Sequence, residues 1–124
     1  MISCRADLFR DFRRHEIPDG YRLVLRFYKD QHTGDWVYRN FHVENYHNQQ
    51  IPVDNQWNID ILKRLGGFFK QIGFKSMPEH MGQHAVQMDK SNFVAAINKM
   101  PGNLGSSVEM NGDAKFIFNL KDFI

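Results

Sequence analysis

Apolar and polar positions begin to alternate at residue 21. Tyr21, Leu23, Leu25 and Phe27 fall on one side of an extended chain. Arg22, Val24, Arg26 and Tyr28 fall on the other, which is the two-residue period of a β-strand. QHTGD (31–35) reads as a turn in which Gly34 is free to take a positive φ. A second alternating run, 36–44, completes a β-hairpin. Val37, Phe41 and Val43 are assigned to its core side, which places Arg39 there too. Trp36, Tyr38, Asn40 and His42 are assigned outward.

The remaining pattern predicts helices and one more hairpin. Residues 45–53, NYHNQQIPV, read as loop. Asp54 or Asn55 caps a helix over about 56–72, whose stripe Ile61, Leu62, Leu65, Phe68, Phe69 and Ile72 follows the 3.6-residue period. Gly66 and Gly67 each cost about 1 kcal/mol in a helix interior, so they are expected where another backbone approaches closely. Gly73 is the expected C-terminal stop. KSMPEHMGQH (75–84) reads as loop or short turns. A second helix starts at Asp89 or Ser91, runs to about 99, and buries Phe93, Val94 and Ile97 before Pro101 and Gly102 end it. Asn111-Gly112 between two alternating runs signals a hairpin, with a terminal strand packing Phe118, Leu120 and Phe123. Ahead of all this, CRADLFRDFRR (4–14) carries a helical stripe of Leu8, Phe9 and Phe12. The order predicts an α+β fold: two antiparallel β-hairpins with three helices. Short further strands in the loops would make it an OB-like, partly open barrel.

Composition narrows this picture. The 124 residues suit a single domain, 1–124, and 42% hydrophobic residues with 11 Phe supply a real core. No apolar run approaches the roughly 18 residues of a membrane span. Charges stand where a signal peptide needs its apolar stretch, so a cytoplasmic protein is expected. With one cysteine, an intramolecular disulfide and a multi-cysteine zinc site are excluded. Cys4 is read as a small, half-buried residue. The net charge of +2 permits a nucleic-acid partner without requiring one. Seven of the eight Arg lie within the first 39 residues, so the arginine-rich third includes the first hairpin.

The outward hairpin face therefore collects Arg22, Arg26, Tyr28, Trp36, Tyr38 and His42. Single-stranded nucleic acid is held by rings that stack on bases, worth about 1–3 kcal/mol each, and by cations that follow phosphates. On that reading Trp36, Tyr38 and Tyr28 stack, and Arg22, Arg26 and His42 contact phosphate. The competing reading is that a helix covers this face, the rings are core and the arginines emerge at its rim. Trp, Tyr and Arg are also the residues of protein–protein hot spots, so a small inhibitor or adaptor acting on a host enzyme is the alternative function. A basic ribonuclease is the third, with His42, Glu44 and His47 converging on Lys29 or Arg22. His80 and His84 are four apart, but Pro78 and Gly82 interrupt the helix a zinc pair needs, so no metal or other cofactor is expected. No phosphate-binding loop, nucleophile elbow or dinucleotide fingerprint is present.

PDGYRLVLRFYK, HTGDWVYRNFHVEN and NIDILKRLGGFFKQIGF carry a likeness in their order. Residues 18–74 resemble phage-encoded single-stranded-DNA-binding proteins of the OB fold. The resemblance implies a sequence-tolerant groove on the sheet, with Trp36, Tyr38 and Tyr28 as its stacking rings. The expected function is thus non-catalytic binding of single-stranded DNA or RNA in a phage or mobile-element setting. A host or replication protein is a further expected partner, a membrane is not, and oligomers are compatible with this reading.

Overall fold

The computed structural model describes residues 17–77 and 83–123. The chain runs β1 (Arg22–Lys29), β2 (Trp36–Glu44), β3 (Gln50–Ile51), α1 (Asn55–Gln71), β4 (Lys75–Met77), β5 (Gln83–Val86), α2 (Lys90–Asn98), β6 (Asn103–Val108), β7 (Asp113–Asn119) and α3 (Leu120–Phe123). This is an α+β fold. Its seven strands form one antiparallel sheet in the order β4-β5-β2-β1-β7-β6, with β3 paired to the far end of β2. Among the described residues the sheet is open: β4 and β6 end it, and no pair closes it into a barrel. The stripe at 4–14, Cys4 and His80 lie outside the described residues.

Both long helices start on an aspartate. The Asp54 carboxylate accepts from the Trp57 amide at 2.9 Å, and the Asp89 carboxylate from the Asn92 amide at 2.8 Å. Each thereby satisfies a backbone donor that the first turn leaves open. At the end of α1, Gly73 takes φ +94 and its amide reaches the Lys70 carbonyl. Gly34 and Gly112, with φ +76 and +95, close the turns after β1 and β6.

All three helices pack on one sheet face. Phe27 of β1 is the centre of that layer, with ring centroids 5.2 Å from Phe93, 5.6 Å from Phe116, 5.7 Å from Tyr38 and 5.8 Å from Phe69. Trp57, Ile61, Leu65 and Phe69 of α1 and Phe93 and Ile97 of α2 complete the core. Among the described residues, no helix is long and apolar enough to cross a membrane.

Several expectations change. Leu62, assigned to the buried stripe, is 45% exposed, and Trp57, one turn before Ile61, is buried instead. Gly66 and Gly67 have open space where a side chain would sit, so no backbone approaches them. The loops 45–53 and 75–84 hold β3, β4 and the start of β5, short strands recruited by pairing to β2 and to each other. The terminal strand stops at Asn119. Leu120 and Phe123 are buried by a single helical turn, with Phe123 against Phe118 at 5.4 Å and Phe68 at 5.3 Å.

Candidate nucleic-acid interface

The placement of the hairpin side chains turns on one residue. From Arg22↔Glu44 to Arg26↔Asn40 the register of β1 and β2 is regular, and the next pair is Phe27↔Tyr38. Arg39 is the extra residue of a β-bulge. Trp36 and Tyr38 have even numbers, whereas Phe41 and Val43 have odd ones. In an uninterrupted strand one pair would lie on the sheet face opposite the helices. One inserted residue lets all four face the helices.

Magnitudes favour the bulge. It forfeits on the order of one ladder hydrogen bond, about 1 kcal/mol net. Truncating a buried Trp or Phe to Ala costs about 3–5 kcal/mol, so hiding two large rings gains far more. An unbulged strand with Phe41 and Val43 inside would also bury the Arg39 guanidinium, at several kcal/mol.

Trp36 and Tyr38 are therefore not surface rings. Trp36 is 2% exposed and lies stacked on Phe93, and Tyr38 is 6% exposed between Phe27 and Phe69. The outward assignment of both is overturned, as is the inward assignment of Val37 and Arg39. Burial raises the Tyr38 phenol well above the ordinary tyrosine range, because the phenolate would be cut off from water.

Arg22, Arg26, Tyr28, Asn40 and His42 do lie on the second sheet face, opposite the helices. Val24 and Val37 are buried on it, so its accessible part is concentrated around the bulge. Arg26 is exposed there and stands in register with Lys115 of β7 on one side and Asn40 on the other. Arg39 lies over the Tyr28 ring, its guanidinium carbon 4.9 Å from the centroid. That contact occupies one face of the ring, leaving Tyr28 a poor stacking platform. Arg39 also approaches the Asp113 carboxylate at 3.8 Å, a loose pair with both side chains more than half exposed, worth at most about 1 kcal/mol.

Two depressions meet at these arginines. One, of about 170 Å³, is lined by Arg26, Arg39, Ser107, Glu109, Asp113 and Lys115. The other, of about 410 Å³, is lined by Arg26, Arg39, Asn40, Phe41, His42 and Gln50. Sharing Arg26 and Arg39 in their linings, the two lie in one band of the sheet (the trough) across β6, β7, β1, β2 and β3. Four inter-strand gaps of about 4.8 Å make it roughly 19 Å long.

Arg26 and Lys115 face each other directly, and among the described residues neither has a hydrogen-bonding or ion-pair partner. Like charges opposite one another weaken a strand pair. His42, by contrast, is committed: its Nε2 meets a Glu44 carboxylate oxygen at 2.7 Å with both side chains half-buried. His47 sits in the exposed turn beyond, its ring 4.1 Å from that of Tyr46. Lys29 reaches over the Trp36 ring on the other face, 5.7 Å from its centroid. Among the described residues, no group of three or more His, Cys, Asp or Glu could hold a metal ion.

Pattern reading missed Arg39, Lys115, Ser107 and Gln50. A signal for Arg39 was present. Apolar positions change parity between Tyr38 and Phe41, and the two residues at the break, Arg39 and Asn40, are both polar. Lys115 and Ser107 needed the pairing of β7 with β1, which joins residues about 90 positions apart.

Family models, curated proteins and solved structures were compared with the chain, and none of them matches it.

Proposed function

We propose that the second sheet face binds single-stranded nucleic acid, holding its sugar–phosphate backbone in the trough. The observation that carries this reading is the Arg26–Lys115 juxtaposition, without an ion-pair partner among the described residues and with Arg39 beside it. Arg26 and Lys115, set opposite one another against stability, are accounted for by an anion that lies between them. Asn40, Gln50 and Ser107 add neutral hydrogen-bonding groups along the same path. A trough of roughly 19 Å takes the backbone of about three nucleotides. The resemblance of residues 18–74 to phage single-stranded-DNA-binding proteins points to the same ligand class. Affinity then comes from phosphate contacts and not from stacking on Trp36 or Tyr38, so binding is sensitive to salt and tolerant of sequence.

The test is fluorescence anisotropy with end-labelled oligo-dT and oligo-U of about 15 nucleotides. Three phosphates neutralised on a single strand give a slope of about −2 in log affinity against log salt. Affinity should thus fall about 15- to 20-fold between 50 and 200 mM salt. Arg26→Ala should lessen the slope by about 0.7. Absence of binding at 50 mM salt, or binding indifferent to salt, refutes the proposal.

A further inference from the structure

We propose that the trough also cleaves single-stranded RNA by transesterification, with His42 as the general base, and leaves DNA intact. The pair that carries this inference is His42 and Glu44, two residues apart on β2. Nε2 of His42 meets a Glu44 carboxylate oxygen at 2.7 Å, and the side chains are 15% and 14% exposed. His42 borders the depression of about 410 Å³ and Glu44 does not, so the imidazole stands between the carboxylate and the trough. Val24, directly opposite His42, is buried. An apolar neighbour of that kind strengthens a hydrogen bond to a carboxylate. An ionised carboxylate can only accept, which puts the ring hydrogen on Nε2. Nδ1 then keeps its lone pair, and among the described residues it has no hydrogen-bond partner. Glu44 is thus a positioning residue that fixes the tautomer and the ring plane, and Nδ1 is the working atom.

The neighbouring strand supplies the other parts. Arg26 pairs with Asn40, two residues before His42 on the same face, so Arg26 and His42 are diagonal neighbours with stems about 7 Å apart. Arg39 borders the same depression. A phosphate held by these guanidinium groups comes within reach of the imidazole, and the same groups stabilise the charge that gathers on it during reaction. Nδ1 accepts the proton of a ribose 2′-hydroxyl, and the 2′-oxygen forms a bond to the adjacent phosphorus. The bond from phosphorus to the 5′-oxygen breaks, and that oxygen takes a proton from water. His42 returns its own extra proton to water. The products are a 2′,3′-cyclic phosphate and a 5′-hydroxyl, and nothing else is consumed. DNA lacks the nucleophile. The step rests on the proposed single-strand binding in this trough.

Single-turnover assays with protein in excess test it, using 5′-labelled oligo-U and oligo-dT with EDTA present to silence metal-dependent contaminants. Saturating protein makes the rate independent of affinity. Oligo-U should shorten to fragments whose mass shows a cyclic phosphate end, and oligo-dT should stay intact. His42→Asn should slow cleavage about 100-fold or more. Glu44→Gln keeps the size of the side chain but no longer imposes the tautomer, and should slow cleavage about tenfold or more. Both variants are compared at parent-like circular dichroism, and Glu44→Gln decides if His42→Asn does not fold. Oligo-U that is bound yet left intact overturns the cleavage and leaves the binding reading standing. Cleavage untouched by these variants overturns it as well, and so does cleavage of oligo-dT. Failure of both oligonucleotides to bind removes the cleavage together with the binding reading.

Discussion

The indole of Trp36 lies flat on the ring of Phe93, with centroids 4.3 Å apart and planes within 2°. A strand residue and a helix residue 57 positions away thus pin α2 to the sheet. Trp36→Ala should lower stability by about 3–5 kcal/mol, read from the urea midpoint. Its affinity for labelled oligonucleotide, measured while the variant is folded, should stay within about twofold of the parent. A variant of unchanged stability and much weaker binding would return the indole to the surface.

The bulge makes deletion and substitution at one position differ sharply. Arg39→Ala keeps the extra residue and should cost less than about 1 kcal/mol, the value of its loose pair with Asp113. Deleting Arg39 forces either Trp36 and Tyr38, or Phe41 and Val43, away from the helices onto the second sheet face. The loss of about 6 kcal/mol or more is comparable with the whole stability of a small domain. No cooperative unfolding transition is expected for the deletion. A deletion variant as stable as Arg39→Ala would mean that the strand tolerates either phase.

Buried Tyr38 makes stability fall at alkaline pH. Its phenol is raised in the folded state above the unfolded value near 10. Below pH 10 both states hold the proton, and the contribution is complete. Above pH 10 the unfolded chain releases it while the folded chain does not, so stability drops by about 1.4 kcal/mol per pH unit. Tyr38→Phe should show a shallower decline in urea midpoint between about pH 10 and 11.5. Parallel declines for parent and variant would contradict burial of the phenol.

Lys115→Glu separates stability from binding. It replaces a like-charge pair with an opposite-charge pair across β1 and β7. Thermal unfolding should show a gain of about 0.2–1 kcal/mol. Oligonucleotide affinity should fall, and the salt slope should shrink by at least about 0.7. Lower stability would show that Lys115 already has a stabilising role.

Asp54 holds the start of α1 by one bond to the Trp57 amide. Asp54→Ala should cost about 0.5–2 kcal/mol in chemical unfolding. Asp54→Asn keeps an acceptor and should recover most of that loss. Equal losses in the two variants would assign the stabilisation to charge and not to the cap.

Local patterns carried far in the helices and turns. The stripe through Ile61, Leu65 and Phe69 repeats with the helical period, and a helix of that phase has one way to bury it. Asp54, Asp89, Gly34, Gly73 and Gly112 act through backbone groups a few residues away, so their roles were legible without knowledge of the fold. Strands β3, β4 and β5 were not. Two to four residues hold no period of their own, and only their pairing to β2 or to each other makes them strands. Of the six residues singled out for binding, Arg22, Arg26, Tyr28 and His42 sit on the second face. Trp36 and Tyr38 changed sides because parity was extended through Arg39 without a break.

By itself the sequence determined that this chain makes two hairpins and two long capped helices around an aromatic core, since each depends on contacts within a few residues. Tertiary structure alone decided which face of β2 packs against the helices and which cations share the trough. The first follows from competition between one ladder hydrogen bond and two buried rings, and the second from strand partners far apart in the chain. Both are comparisons of whole-sheet energies, which no local window of residues contains.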